Sequence, residues 1–426
     1  MTEKYCDLTR DRYTVFTHST GLPVCVISKP GHAKIHAMFA TNFGSIDTVC
    51  PPIDGGEPVK VPDGTAHFLE HKLFENEDGD AFARYAETGA DANAFTSFDK
   101  TAYLFSCTDR FADSLEILLD FVQNPYFTEK TVKKEQGIIG QEIKMYEDSP
   151  SWRVMFGLLD ALYAKHGVKI DIAGTVDTIA GITPELLYTC YHSFYNPANM
   201  VLVVCGDVTA GQVLSVCDKV LRPKPVAALR RPAIDEPRAA VRGRTELALP
   251  VSTPQFMTGY KDVPGATGIE AVRHAVQTEL LLELLCGQSS KLYGELYTQG
   301  LINSTFETEY MYGDGFGVTL IGGESREPDK VRAMLLDAVD SLKRSGICAA
   351  DFDRVRKKLY GRAVRQLNSV DRVASLFVDL AFLQVDFSDY MHAYLSAGLD
   401  ECEERLHTHF APEASAISII QPIEKA

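Results

Sequence analysis

The residues best able to do chemistry stand together at His67-Phe68-Leu69-Glu70-His71. They read H-x-x-E-H, the reverse order of H-E-x-x-H. In a helix His67 and His71 fall at i and i+4, one turn apart on one face, and Glu70 shares that face. Two neutral imidazoles can then hold one zinc ion, while the carboxylate beside them is placed to accept a proton from water. Glu70 is thereby free to act as base and not as ligand. Asp63-Gly64-Thr65 supplies a turn and an N-cap, and Ala66, Leu69 and Leu73 supply an apolar side. Two surface histidines and a solvated glutamate would give the same letters, so a metal site needs a third ligand.

Candidates for that ligand lie downstream. A helical pattern from about Thr128 to Glu147 carries Glu135, Glu142 and Glu147. Positions 135 and 142 are two turns apart and face nearly the same way, beside a stripe of Ile138, Ile139 and Ile143. Two carboxylates at the edge of a buried stripe are either ligands or, with Lys133, Lys134 and Lys144, members of a salt-bridge ladder. Spacing leaves both readings open.

The elements that must position these groups follow from periodicity and turn residues. Pro23 to Ser28 and Lys34 to Asn42 read as strands, and Thr48 to Gly64 as a loop leading to the motif helix. Phe82 to Glu87 reads as a short helix. Asp91 to Ser97 and Thr101 to Ser106 read as strands joined by a tight turn, and Phe111 to Gln123 as a helix stopped by Asn124-Pro125. Met200 to Cys205 is a buried strand closed by Gly206-Asp207. Residues 222–244 hold four prolines and six arginines and read as a linker. Strands then recur at Glu246 to Leu249, Gln255 to Tyr260, Ile302 to Thr308 and Gly317 to Gly322. Helices recur at about 268–286, 329–344 and 350–367, and most of 370–408 is helical before a last strand at Ala416 to Ile420. Tyr195-x-Pro197 and Phe410-x-Pro412 each precede a closing strand. The expected organisation is a duplicated α+β unit, 1–221 and 245–426 about a linker at 222–244.

At 426 residues the chain calls for two or more domains, and its 45% apolar and 23% charged content is that of a globular protein. A net charge of −16 speaks against nucleic acid or an anionic membrane as partner. Met1 to Tyr13 has no apolar core of a signal peptide, and no run is long enough to span a bilayer. Ten scattered cysteines without a C-x-x-C pair suit reduced thiols and a cytoplasmic location.

Taken together, these residues resemble the pitrilysin family of inverzincin metallopeptidases, which includes insulysin and mitochondrial processing peptidase. The resemblance is carried by Gly64-x-x-His67-x-x-Glu70-His71-x-x-Phe74, by Asn93-Ala94-Phe95-Thr96-Ser97 with Asp99, Thr101 and Tyr103, by Glu135 and Glu142, and by Tyr195-Asn196-Pro197 with the strand after it. His71-Lys72-Leu73-Phe74-Glu75 and Asp171-Ile172-Ala173-Gly174-Thr175-Val176 look most like a bacterial YmfH-like branch. The resemblance implies two homologous half-domains, each an antiparallel-rich mixed sheet with helices packed on one face. It implies one zinc per chain on His67, His71 and Glu142, with Glu70 as general base and Glu135 assisting. Asn93, Ala94, Phe95 and Thr96 would hold an extended peptide. Active members bring an arginine and a tyrosine from the second half to the substrate carbonyl. Here Asn303 to Gly317 offers Tyr310 and Tyr312 but no arginine. The implied partners are a peptide substrate and a second subunit, either another copy or a related inactive chain. The alternative is a fold-retaining subunit of a heterodimeric processing peptidase, weakly active or inactive alone.

Overall fold

The computed structural model describes residues 1–51, 57–77, 79–224, 231, 234–262 and 266–423. The chain forms two compact units. One takes Met1–Ile143, Ile170–Pro232 and Val364–Ser388; the other takes Lys144–Lys169, Ala233–Ala363 and Asp389–Ala426.

The first unit is built on a seven-stranded sheet. Its order is Thr2–Tyr5, Arg12–Thr17, Pro23–Ser28, Met200–Gly206, Ile35–Thr41, Thr101–Cys107, Asp91–Thr96. Met200–Gly206 is buried at every residue, as its unbroken apolar run requires of a central strand. It runs parallel to Pro23–Ser28 and antiparallel to Ile35–Thr41, and the pairings beyond that are antiparallel. The polar N-terminus forms a hairpin at Thr2–Tyr5 and Arg12–Thr17, which its hydropathy did not announce.

The second unit has a five-stranded sheet in the order Arg244–Leu249, Ser415–Pro422, Gln255–Lys261, Phe316–Glu324, Glu307–Gly313. Its first pairing is parallel and the other three are antiparallel. The last five strands of the first sheet follow the same chain order and the same pairing pattern. The duplicated α+β unit expected from the sequence is therefore present in the strand topology.

The compact units differ from the split expected at 222–244. Helix Pro150–Leu162 precedes that point yet packs on Ser415–Pro422 and Gln255–Lys261 in the second unit. Helix Val370–Leu383 follows it yet packs on Met200–Gly206 and Ile35–Thr41 in the first, burying Val373, Phe377 and Val378. Much of the expected linker, 225–230 and 232–233, lies outside the described residues. Its described residues are anchored. Arg231 makes paired bonds to Asp47 at 2.6 and 2.8 Å, and Glu236 accepts from the backbone amides of Ala164, Lys165 and His166. The strand expected at 302–308 begins instead at Glu307. Asn303 Oδ1 accepts from the backbone N–H and the hydroxyl of Thr305, and this side-chain turn takes residues 303–305 out of the ladder.

Candidate metal centre

The H-x-x-E-H segment lies on helix Thr65–Leu73, which packs on strands Asp91–Thr96 and Thr101–Cys107. Phe68, Leu69 and Leu73 are wholly buried and fix its rotation, which turns His67, Glu70 and His71 to the same side. No side chain caps the helix. Gly64 at φ +89° starts it, and a Cβ there would sit 2.4 Å from the Ala173 carbonyl oxygen. Gly174, at φ +71°, meets the Asp63 carbonyl oxygen in the same way. Each backbone passes where a side chain of the other would stand, so both glycines set the entry of the motif helix.

Helix Glu129–Glu147 supplies the carboxylates. Val132, Ile139 and Ile143 are its buried stripe, whereas Ile138, expected in that stripe, is 47% exposed. The Gln136 amide donates to the carbonyls of Ile179, Ala180 and Ile182 and pins the helix, a role its letter did not reveal. Glu135 and Glu142 face the histidines. The Nδ1–H of His71 donates to Glu135 at 3.1 Å. His67 Nε2 lies 3.7 Å from one Glu142 oxygen, and His71 Nε2 lies 3.5 Å from the other. Two of the candidate lysines go elsewhere: Lys133 bonds Gln136, and Lys134 approaches Glu75. Glu142 lies beside both histidines, and Glu135 lies behind His71 at its other ring nitrogen.

One donor atom from each of His67, His71 and Glu142 falls within 4.8 Å of the other two; among the described residues this is the cluster able to hold a metal. Tetrahedral zinc with bonds of about 2.0–2.1 Å holds its ligand atoms about 3.3 Å apart. The separations of 3.5 and 3.7 Å, each to a different Glu142 oxygen, are too long for hydrogen bonds, and with one atom from each residue the three donors still lie within 4.8 Å of one another. The donor set fits zinc.

The electrostatics differ between the two histidines. Burial, reinforced by His71, pushes His67 down to about 4, so its imidazole is neutral and able to coordinate near pH 7. Burial alone would lower His71 too, but its bond to Glu135 and the charges of Glu70 and Glu142 raise it. Burial opposes the ionisation of Glu135, yet the His71 contact holds it below the usual carboxylate range. Burial raises Glu70, and the Thr96 hydroxyl, donating to Glu70 Oε2 at 2.7 Å, partly offsets this. The Thr96 hydroxyl also lies 3.3 Å from that of Thr101, which donates to the Phe43 carbonyl. Thr96 thus links Glu70 to the edge strand that carries Asn93, Ala94 and Phe95.

Tyr310 and Tyr312 stand in the second unit, on strand Glu307–Gly313, with their rings stacked. The Tyr310 hydroxyl donates to Asp262, and Arg405 donates to that same hydroxyl at 3.1 Å. Arg405 also pairs with both oxygens of Asp262 and bonds Thr278. An arginine does meet Tyr310, from helix Leu399–His409 and far outside Asn303 to Gly317. At the topological place of the metal centre, the second unit has helices Gly268–Cys286 and Ala349–Gln366. There Glu283 is paired with Lys358 and with Arg362. Side-chain cations balance that acid, whereas in the first unit Glu142 stands beside two histidines.

Residues 56–176 match the family model Insulinase (Peptidase family M16), and residues 181–359 match Peptidase M16 inactive domain. The Bacillus subtilis zinc protease YmfH is 42% identical over 410 residues, covering 95% of each chain. An M16-like peptidase from Alicyclobacillus acidocaldarius superposes with a TM-score of 0.94 at 35% identity, over 97% of this chain and 99% of that one. A protease of Helicobacter pylori shares the fold, with a TM-score of 0.81 at 22% identity over 97% and 100% of the two chains. The chain belongs to the insulinase family of peptidases, M16, on the branch that includes YmfH, and at the level of that family it is a zinc peptidase.

Proposed function

We propose that the first unit is the catalytic centre of a zinc endopeptidase acting on peptides or short unfolded segments. The observation that carries this reading is the convergence of His67, His71 and Glu142 within 4.8 Å, with Glu70 buried beside them. One zinc per chain would be held by His67, His71 and Glu142, and Glu135 would orient His71 through its Nδ1–H. When bound, zinc supplies Lewis acidity toward the scissile carbonyl and lowers the pKa of water to about 7. Glu70 takes the proton of the attacking water and returns it to the leaving amine. Its raised pKa suits both steps, since a base that has accepted a proton must also surrender it. Asp91–Thr96 is an edge strand paired on one side by Thr101–Cys107, and its other side would take an extended peptide as an added strand.

The second unit bears on assembly. Tyr310 and Arg405 are committed to Asp262, so a carbonyl donor from that unit would first have to leave a buried ion pair. We infer that the working enzyme is a dimer, of this chain or with a related inactive one, that closes the peptide away from water. Among the described residues no helix is long and apolar enough to cross a membrane, and we place the activity in the cytoplasm. Cleavage of a quenched peptide by the purified chain, abolished by a chelator and restored by zinc, tests the endopeptidase reading. Chelator-resistant cleavage, or none in any assembly, would count against it.

A further inference from the structure

The second unit holds a cavity that the zinc chemistry does not use. Its volume is about 480 Å³, within the roughly 300–1,000 Å³ of small-molecule sites, and its lining residues all belong to that unit. Helix Gly268–Cys286 lines it with His274 and Gln277, and helix Leu399–His409 with Glu401, Glu404 and Arg405. Arg405 and Gln277 are only 6% and 8% exposed and form a floor, whereas Glu401 and Glu404 are exposed and form a rim. The floor has unused hydrogen-bonding capacity. A guanidinium has five N–H donors. Nε of Arg405 donates to Thr278, Nη2 to Asp262 and to Tyr310, and Nη1 once to Asp262. The second N–H on Nη1 has no acceptor among the described residues. The Gln277 amide nitrogen donates to Glu401 Oε2 at 3.4 Å, while the Gln277 amide oxygen receives no donor among them. Buried polar groups are normally hydrogen-bonded, and the partners these two lack must come from the cavity. The His274 ring also has no partner among the described residues, and burial together with the Arg405 charge holds it below the ordinary imidazole value, so it is neutral at pH 7.

Charge narrows the ligand. Asp262, also on the floor, is paired with Arg405, and on the rim Arg273 is paired with Glu270. Glu404 has no ion-pair partner among the described residues, and Glu401 meets only two 3.4 Å N–H donors, both on Oε2. These two carboxylates favour an ammonium, and the Arg405 N–H favours an anionic acceptor. A simple anion would meet the carboxylates, and a polyamine would set a second ammonium against Arg405. Glu401 and Arg405 are one helical turn apart on one face, about 5–6 Å between Cβ atoms, a span that suits one small molecule carrying both charges.

We propose that this cavity binds a small zwitterion with the chemistry of a free α-amino acid or dipeptide: its carboxylate takes the remaining Nη1–H of Arg405 and the His274 ring, and its ammonium takes the Gln277 amide oxygen and the carboxylates of Glu401 and Glu404. The inference stands apart from the zinc site, since no lining residue is a proposed ligand or base.

Calorimetric titration of the full chain tests it, with alanine, dialanine, N-acetylated dialanine, C-amidated dialanine and spermidine as probes. Alanine or dialanine should bind saturably with a Kd of about 1 mM or tighter, and the tighter of the two identifies the source of the zwitterion. Each blocked dialanine should bind at least about 10-fold more weakly, the low end for loss of a charge-assisted hydrogen bond. Glu401→Gln and Gln277→Leu should each weaken the zwitterion about 10-fold, with folding followed by thermal melting. Should Gln277→Leu fail to fold, Glu404→Gln changes an exposed residue and is expected to weaken binding in the same direction. No saturable binding of either zwitterion, equal binding of the C-amide, tighter binding of spermidine, or affinity unchanged in the folded variants overturns the proposal.

Discussion

Replacing Thr96 with valine keeps the shape of the edge strand and removes one atom, the hydroxyl that reaches Glu70 at 2.7 Å. Glu70 is only 9% exposed, so water cannot freely replace that donor. A hydrogen bond to a charged group contributes about 1.5–3 kcal/mol. At about 1.4 kcal/mol per tenfold, Thr96→Val should slow turnover roughly 10- to 100-fold. The sign of the pH effect follows. Burial raises the Glu70 pKa and the Thr96 bond lowers it, so removing the bond raises it further and moves the acidic limb of the pH–rate profile upward. Zinc content should be unchanged, since Thr96 touches no ligand. Thr96→Ser restores the donor and should recover most of the rate. The assay is a kcat and KM series from pH 5 to 9 on a quenched peptide. If Thr96→Val left turnover and the acidic limb in place, or if Thr96→Ser were as slow as Thr96→Val, the orientation of Glu70 by Thr96 would be refuted.

Glu142→Gln should weaken zinc more than Glu135→Gln, because loss of a ligand costs more than the about 10- to 100-fold of a supporting contact; equal affinities by chelator competition would reject Glu142 as the ligand. Asp262→Asn should destabilise the chain by about 3–5 kcal/mol in urea at pH 7, since it strands the buried Arg405. Burial opposes ionisation of Asp262, but His409 and Arg405 hold it well below the usual carboxylate range. Its contribution is therefore full above about pH 4 and lost only as pH falls through the depressed folded value, so the gap between wild type and variant should close only in strong acid. Light scattering should report a dimer, and a peptide segment should be cut while the same segment inside a stable folded protein is spared. With −16 per chain, basic peptides should be favoured at low salt. An active monomer, or equal cleavage of the folded protein, would contradict the assembly.

The two parts of the candidate metal cluster were legible because each obeys a short-range rule, while their meeting was implied only by the family resemblance. His67, Glu70 and His71 are fixed by one helical turn, and Glu135 and Glu142 by two. The duplication was legible because strand order repeats along the chain. Contacts set by long-range packing were not. Arg405 and Asp262 are 143 residues apart, and nothing local at either position announces the other. The crossing of helices Pro150–Leu162 and Val370–Leu383 into the opposite units depends on which sheet each apolar face meets, while periodicity records only that the face exists. Lys72 is wholly buried, and that burial is set by the fold around it. Ile138 belonged to the stripe by letter, but the rotation of its helix leaves it toward solvent. The turn at Asn303 was missed because its side-chain bonds compete with the ladder that the apolar letters suggested.

The central claim is that two histidines and Glu142 hold zinc while Glu70 moves the proton. Metal content and turnover measured together on wild type, His67→Ala and Glu70→Gln test it most directly. Wild type should carry about one zinc per chain and cleave peptide, and His67→Ala should lose both metal and cleavage. Glu70→Gln should keep its zinc and its melting temperature while losing turnover, because a base that does not coordinate can be neutralised without loosening the metal. A folded Glu70→Gln chain that came out free of zinc, or one that kept its activity, would contradict the account.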